Sequence, residues 1–241
     1  MNWYKYASPA AFYPLAGKLI PWFAIPATVL FALGLYIGFF VAPTDFQQGD
    51  AYRIIFIHVP AAWMGMFLYI LLAFYAGIGW AFNARLASMM ATSLAITGAM
   101  FTVLALVTGA LWGKPTWGTW WAWDARMTST LILLFLYVGF ISLQAAIDDP
   151  RRADRAGAVL AIVGVINVPI IYFSVRWWNT LHQGATIRIL NKPTMAPPML
   201  AAMLIMLAAC WLYSIAVVLV RLRCIIMERE QNVARIARAA T

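Results

Sequence analysis

The chain has only two histidines, and each lies close to tryptophan. His58 occurs in IFIHVPAAW, and His182 occurs in RWWNTLHQG. A neutral imidazole nitrogen is a good ligand for haem iron. If the fold brings both rings to one face of the molecule, they can occupy the two axial positions of one iron atom. We therefore predict that His58 and His182 are axial haem ligands, although a single histidine at a helix end is more often a hydrogen-bonded structural residue.

A second feature is the segment 112–126, WGKPTWGTWWAWDAR, which contains five of the twelve tryptophans. Indole combines a large rigid apolar surface with an N–H group that can remain hydrated. Such surfaces suit a porphyrin, so we predict a tryptophan shelf against the haem. Tryptophan also anchors proteins at the membrane–water interface, and Trp112, nearest to an apolar stretch, fits that role best. The predicted shelf comprises Trp112, Trp117, Trp120, Trp121 and Trp123, with Trp177 and Trp178 just before the second histidine.

Charged residues accompany these aromatic segments. Arginine binds carboxylates in a bidentate manner, so Arg53 and Arg126 are predicted to pair with the haem propionates. The alternative cations are Lys114, Arg176 and Arg188. Asp124 belongs to the predicted haem-binding segment, but its carboxylate also suits the N-terminal cap of the next helix. We consider this capping role stronger than a direct haem contact.

The composition indicates what positions these residues. The 241 residues are 64% hydrophobic and 10% charged, with a mean hydropathy of +0.82, whereas a soluble domain is about a quarter charged. Six stretches of 20 to 31 uncharged residues separate the charged positions, and about 20 apolar residues cross a bilayer core. The predicted fold is therefore all-α, a polytopic membrane bundle of six helices. The predicted spans are 19–41, 59–80, 89–111, 127–147, 156–174 and 198–220.

The distribution of lysine and arginine predicts the orientation of the bundle. With six spans both termini lie on one side, and that side carries eleven cations against six on the other. The positive-inside rule places the richer side in the cytoplasm. The outer side then carries three long segments, 42–57, 112–126 and 175–197, which include both predicted haem-binding regions. The net charge of +9 reflects the orientation of the bundle and its contact with anionic membrane lipid. It does not indicate binding to nucleic acid.

We predict one membrane domain over residues 1–220 and a basic cytoplasmic tail over 221–241. Cys210 and Cys224 form no CxxC or CxxCH pattern. A thiol redox site or a covalent haem attachment site is therefore not expected.

The sequence WGKPTWGTWWAWDARMTS resembles the tryptophan-rich signature, the WWD domain, of the haem-handling family of cytochrome c maturation. The segments YRIIFIHVPAAW and VINVPIIYFSVRWWNTLHQG resemble the CcmC branch of that family. The similarity covers nearly the whole chain. A longer haem lyase branch has many more helices, and the length of this chain argues against it.

The resemblance implies a protein that holds haem b at the periplasmic face of the bacterial cell inner membrane and passes it to a periplasmic haem chaperone. It implies that the partners are the ATPase and membrane subunits of an ABC transporter and a small single-span subunit. His58 and His182 correspond to the axial ligands of the family. The haem-contacting signature corresponds to Trp112, Trp117, Trp120, Trp121, Trp123 and Asp124. Such a protein delivers haem and is not an enzyme. Whether it also assists the covalent attachment of haem to the chaperone is left open.

Two other interpretations remain. A transmembrane carrier would export haem through its own helix bundle, but the six spans contain almost none of the ionisable groups that mark a conducting path. A structural subunit with an aromatic anchor belt would bind no chromophore.

Overall fold

The computed structural model describes residues 7–182 and 195–239, and within these ranges the chain is helical and forms no strand. Six helical segments are long and apolar enough to cross a membrane, which confirms the predicted all-α, six-span fold. The α-helices are α1 Pro9–Tyr36, α2 Ile55–Phe82, α3 Arg85–Trp117, α4 Ala125–Ala146, α5 Pro150–Gly164, α6 Asn167–Trp177 and α7 Pro197–Ala239. A π-helical turn, Ile37–Val41, extends α1, and a 3₁₀-helix, Asp50–Ile54, leads into α2.

The helices are longer than the predicted spans, and this corrects one expectation. The segment 112–126 was expected to be an outer loop, but α3 continues through Lys114 and Pro115 to Trp117. Gly118 ends the helix with a φ of +79°, and its N–H donates to the Lys114 carbonyl. A glycine in the left-handed conformation is a common C-terminal helix stop. The first two tryptophans of the segment are therefore helical, and only the later ones belong to a loop.

The fifth span is interrupted near its middle. α5 ends at Gly164 and α6 begins at Asn167, because Pro169 lacks the N–H that would continue the hydrogen-bond ladder. The Asn167 side chain, which is buried, donates to the Ser129 carbonyl of α4 at 2.9 Å. The break is thus fixed to a neighbouring helix, and α6 runs from it to Trp177.

The bundle is built from close helix pairs. α2 packs along α3, α1 packs along α7, and α4, α5 and α6 close around α2 and α3. At Gly65 a Cβ atom would lie only 2.8 Å from the Thr102 hydroxyl of α3, so glycine permits this approach of α2 to α3. The Tyr137 hydroxyl of α4 donates to the Gly65 carbonyl at 2.8 Å. The three helices that carry His58, Trp112, Trp117 and Arg126 are therefore tightly joined.

Ion pairs join the helices at the end of the bundle opposite His58. Arg85 at the start of α3 pairs with Glu230 of α7 at 2.8 Å. Arg229 binds both carboxylate oxygens of Asp154 in α5, at 2.8 and 3.0 Å. α7 continues as helix through residue 239, so the tail described here is an extension of the last span. The division into a membrane domain and a basic tail stays a prediction.

Candidate functional site

A cleft opens at one end of the bundle, between α2, α3, α4 and the segment that follows α6. Its walls combine two imidazoles, two indoles and one guanidinium with apolar side chains and one threonine hydroxyl. The lining residues are His58, Ala62, Ala105, Leu106, Gly109, Trp112, Trp117, Arg126, Met127, Thr130 and His182.

The two histidines face each other across this cleft. Their ring centroids are 5.9 Å apart, and the ring planes are inclined by 25°. His58 is only 7% exposed, whereas His182 is partly exposed. A buried helical residue and a surface-segment residue, far apart in sequence, thus present imidazoles to one small space.

The ring of His58 is oriented by α3. Its Nδ1 lies 3.0 Å from the hydroxyl oxygen of Thr108, and that hydroxyl donates its one hydrogen to the Leu104 carbonyl at 2.6 Å. With that hydrogen on the Leu104 carbonyl, Thr108 can accept from His58, and in the matching tautomer Nδ1 carries the proton. The lone pair of the other ring nitrogen, Nε2, is then available for a metal. A second ring nitrogen held by a hydrogen bond is the usual arrangement for a metal-binding histidine.

Gly109 and Trp112 of α3 also contact the ring of His58. A Cβ at Gly109 would lie 3.0 Å from His58 Cε1, so glycine lets α3 approach the imidazole. Trp112 meets the His58 ring edge-on at a centroid distance of 5.7 Å. The Trp112 indole N–H donates to Gln48 Oε1 at 2.7 Å, and Asp45 Oδ1 accepts from the Gln48 backbone N–H at 2.8 Å. The segment 42–57, predicted to lie on the outer side, therefore fixes one indole of the cleft.

The sequence interpretation missed three of these contributors: Gln48, Thr108 and Gly109. Thr108 and Gly109 lie one helical turn before Trp112 in TGALWG, and on a helix that spacing puts them on the same face. This was the available signal. Gln48 gave none, because its role depends on a contact between segments that are distant in sequence.

The tryptophans divide into two groups. Trp112 and Trp117 line the cleft, and the Trp117 ring lies 5.7 Å from that of His182. The others lie outside the lining, and several are largely exposed, with Trp123 at 77%. The buried indole N–H of Trp121 meets no acceptor among the described residues. The predicted shelf residues that do not line the cleft are Trp120, Trp121, Trp123, Trp177 and Trp178.

The two predicted propionate partners occupy different positions. Arg126 lines the cleft and donates to the Ile171 carbonyl of α6 at 2.8 Å. Arg53 does not line it. The Arg53 guanidinium donates to Asp50 at 2.9 Å and to two carbonyls beyond the end of α1. Arg126 is therefore the predicted cation that the fold brings to the histidines, while Arg53 is engaged elsewhere. Arg188 lies outside the described residues.

Asp124 begins α4 and joins two segments. Its Oδ1 accepts from the Met127 backbone N–H at 2.8 Å, which is the predicted N-terminal cap. Its Oδ2 accepts from the Leu181 backbone N–H at 3.2 Å. The carboxylate does not line the cleft.

The geometry fits a metalloporphyrin better than a bare metal ion. In the part of the chain that the structure describes, no group of three or more His, Cys, Asp or Glu side chains is placed to hold a metal, and a zinc site needs three or four such ligands. A haem iron needs only axial ligands from the protein. With metal–imidazole bonds of about 2.0–2.1 Å, as for zinc, the two nitrogens would lie about 4 Å apart. The ring centroids are 5.9 Å apart, so both imidazoles border the same small space.

Comparison with known proteins gives a consistent picture. The family model described as "CcmC: Heme exporter protein C" matches residues 2–237. The "Heme exporter protein C" of Escherichia coli (strain K12) is 52% identical over 183 residues, which are 76% of this chain and 75% of the relative. The protein of that name from Haemophilus influenzae is 43% identical over 227 residues, 94% of this chain and 92% of the relative. That from Paracoccus denitrificans is 35% identical over 231 residues, 95% of each.

Proposed function

This chain belongs to the heme exporter protein C family of cytochrome c biogenesis, and we propose that it binds haem b at the periplasmic face of the bacterial inner membrane and delivers it to a periplasmic haem chaperone. The family is a transport and delivery component and not a classical enzyme. The protein is a multi-pass membrane protein. Its orientation and the identity of the receiving partner are parts of the proposal.

One observation carries the proposal. His58 and His182, the only two histidines of the chain, present their rings 5.9 Å apart across a cleft lined by indoles. A histidine pair at this separation suits one iron with two axial imidazoles. Edge-on and tilted contacts from Trp112 and Trp117 provide rigid apolar surface beside the pair.

The residues of the cleft have distinct roles. His58 is the fixed ligand, because α2 carries it, Thr108 orients its ring and the side chain is buried. His182 is the exchangeable ligand, because it lies in the non-helical segment after α6 and is partly exposed. Arg126 supplies a cation in the cleft wall for a propionate, and charge-assisted hydrogen bonds of this kind are strong. When bound, the haem supplies a reactive vinyl edge, and the protein's task is to hold that edge outward.

Delivery requires a shallow site and partners. The cleft lies at the end of the bundle and is bounded by surface segments, so a chaperone can approach without passing between helices. The family name implies partnership with other components of a heme exporter complex. We propose that these are the ATPase and membrane subunits of an ABC transporter and a small single-span subunit, which release the loaded chaperone.

We favour delivery over passage of haem through the bundle. Deeper in the bundle, between α2 and α4, the core is filled by Tyr69 and Tyr137, which are 0% exposed and pack edge-on against each other. A carrier would need these side chains to separate. Haem uptake into sealed proteoliposomes that contain only this chain would decide for the carrier.

The test is the absorption spectrum of the purified protein after reconstitution with haem. We expect the wild-type protein to be red with a low-spin spectrum of two nitrogen axial ligands. His58→Ala and His182→Ala should each lose the low-spin form, and His58→Ala should lose more haem because His58 is the fixed ligand. Trp22→Ala, at a tryptophan that is 77% exposed on α1 and far from the cleft, is the control. If both histidine variants keep the wild-type haem content and spectrum, axial ligation by this pair is wrong.

A further inference from the structure

Asp124 makes a contact that capping does not require. An aspartate at a helix N-terminus satisfies one or more backbone N–H groups of the first turn, and Oδ1 does so by accepting from Met127 at 2.8 Å. The second oxygen, Oδ2, accepts from the backbone N–H of Leu181 at 3.2 Å. One carboxylate therefore links the start of α4 to a segment far along the chain.

Leu181, whose backbone N–H donates to Asp124, directly precedes His182. The segment from Trp178 to His182 is not helical, so no helical ladder fixes its backbone. The imidazole of His182 nevertheless reaches the rings of His58 and Trp117. A hydrogen bond from the Leu181 amide to a charged acceptor biases such a segment toward one position.

We propose that Asp124 is a positioning residue for His182, holding the segment that carries the exchangeable ligand against the N-terminus of α4. This inference rests on the proposed haem function, because it assigns how the second axial ligand is presented. Met127 anchors one carboxylate oxygen and the helix terminus favours its charge, so the other oxygen is held in a fixed direction. The acidic residue of the tryptophan-rich segment thus acts through His182 and not by touching the haem.

The chain contains a matched control for the capping role. Asp149 caps α5 in the same way, with Oδ1 accepting from the Arg152 backbone N–H at 2.7 Å. α5 begins at the end of the bundle opposite the cleft. Asp149→Asn therefore reports the effect of changing an aspartate cap alone.

Two substitutions at position 124 distinguish the helix-capping role of Asp124 from its contact with Leu181. Asp124→Asn keeps an acceptor for Met127 but turns an NH₂ group toward the Leu181 N–H. Asp124→Ser keeps a favourable capping hydroxyl but has a single oxygen. Both variants should unfold in detergent at a temperature close to that of the Asp149→Asn protein. Both should lose the contact to Leu181.

The experiment reconstitutes the full-length variants with haem and measures the low-spin fraction and the haem dissociation constant. We expect Asp124→Asn and Asp124→Ser to convert much of the low-spin form to the form seen in His182→Ala. Their haem affinity should fall about tenfold, at the lower end of the 10–100-fold typical of residues that orient a metal ligand. Added imidazole should restore the low-spin spectrum, since it replaces a misplaced ligand but repairs no folding defect. Asp149→Asn should match wild type.

A double substitution decides between positioning and direct contact. If Asp124 acts through His182, Asp124→Asn should change neither haem affinity nor spectrum in the His182→Ala background. A further loss of haem there would show direct contact and overturn the inference, as would a wild-type spectrum for both Asp124 variants. If wild type lacks the low-spin spectrum, or His182→Ala retains it, the proposed function fails first and the inference fails with it.

Discussion

The hydrogen bond between His58 and Thr108 determines the chemistry that the buried imidazole can offer. The Thr108 hydroxyl has one hydrogen, and the Leu104 carbonyl takes it at 2.6 Å. In the tautomer that matches this arrangement, His58 Nδ1 donates to Thr108, and the other ring nitrogen presents a lone pair to the cleft. Without this partner the imidazole could rotate or exchange tautomers. Thr108 is thus as important to the predicted ligand as the helix that carries it.

Substitution of Thr108 by valine tests this role. Thr108→Val keeps the size of the side chain but removes the acceptor, so we expect haem affinity to fall about 10-fold or more, within the range for residues that orient metal ligands. The measurement is haem titration followed by absorbance.

Thr97→Val is the control for the same exchange on the same helix. Thr97 is 2% exposed, and its hydroxyl has no hydrogen-bond partner among the described residues. Its replacement should therefore leave haem affinity unchanged and stability unchanged or higher. Equal haem affinities for the Thr108 and Thr97 variants would remove the orienting role.

At the scale of elements, the connection between α1 and α2 is held by Arg53. The guanidinium donates to the Gly38 carbonyl at 2.7 Å, to the Ala42 carbonyl at 3.1 Å and to Asp50 at 2.9 Å. Gly38 belongs to the π-helical turn that ends the first span. Arg53 therefore joins this turn to the 3₁₀-helix that leads into α2. The contact stabilises the segment that also carries Gln48, the partner of Trp112.

Arg53 and Arg126 should respond differently to removal of charge. Arg53→Gln should lower the free energy of unfolding by about 1–3 kcal/mol, because two carbonyls lose a charged donor, while haem affinity stays close to wild type. Arg126→Gln should lower haem affinity about tenfold, equivalent to about 1.4 kcal/mol, because a cation of the cleft is lost. Equilibrium unfolding in mixed micelles and haem titration measure the two effects. Loss of haem affinity in Arg53→Gln alone would reverse these assignments.

At the scale of the whole molecule, the cleft and the basic end of α7 lie at opposite ends of the bundle. Arg85, Asp154, Arg229 and Glu230 form ion pairs at the basic end, and His58 lies at the other. The positive-inside rule predicts that the basic end lies in the cytoplasm. The haem site would then face the periplasm, where the chaperone is expected.

The two natural cysteines test this orientation. Cys224 is exposed near the basic end of α7, and Cys210 is buried. A membrane-impermeant maleimide should label Cys224 only after the inner membrane is permeabilised. Phe46→Cys in a Cys224→Ser background, at a site 92% exposed in the first outer segment, should be labelled in intact spheroplasts. Labelling of Cys224 from outside would invert the topology.

The sequence was sufficient to predict the architecture. Long uncharged stretches between charged residues predicted six spans, and six helices confirm them, because a bilayer requires a nearly continuous apolar run. The Asp124 cap of α4 was also predictable, since it depends only on residues within one turn. Helix ends were less predictable: α3 continues past Lys114 and Pro115, where a charge and a proline suggested a loop.

The sequence by itself determined which residues can do chemistry: two histidines, a tryptophan-rich segment and a few cations on the same side. Only the tertiary structure decided which of them meet. It brings His58, His182, Trp112, Trp117 and Arg126 to one cleft and leaves Arg53 at a helix junction. The physical reason is that span count and polarity follow from local composition, whereas ring orientation and ligand spacing depend on contacts between segments distant in the chain. The links from Gln48 to Trp112 and from Asp124 to Leu181 are contacts of that kind.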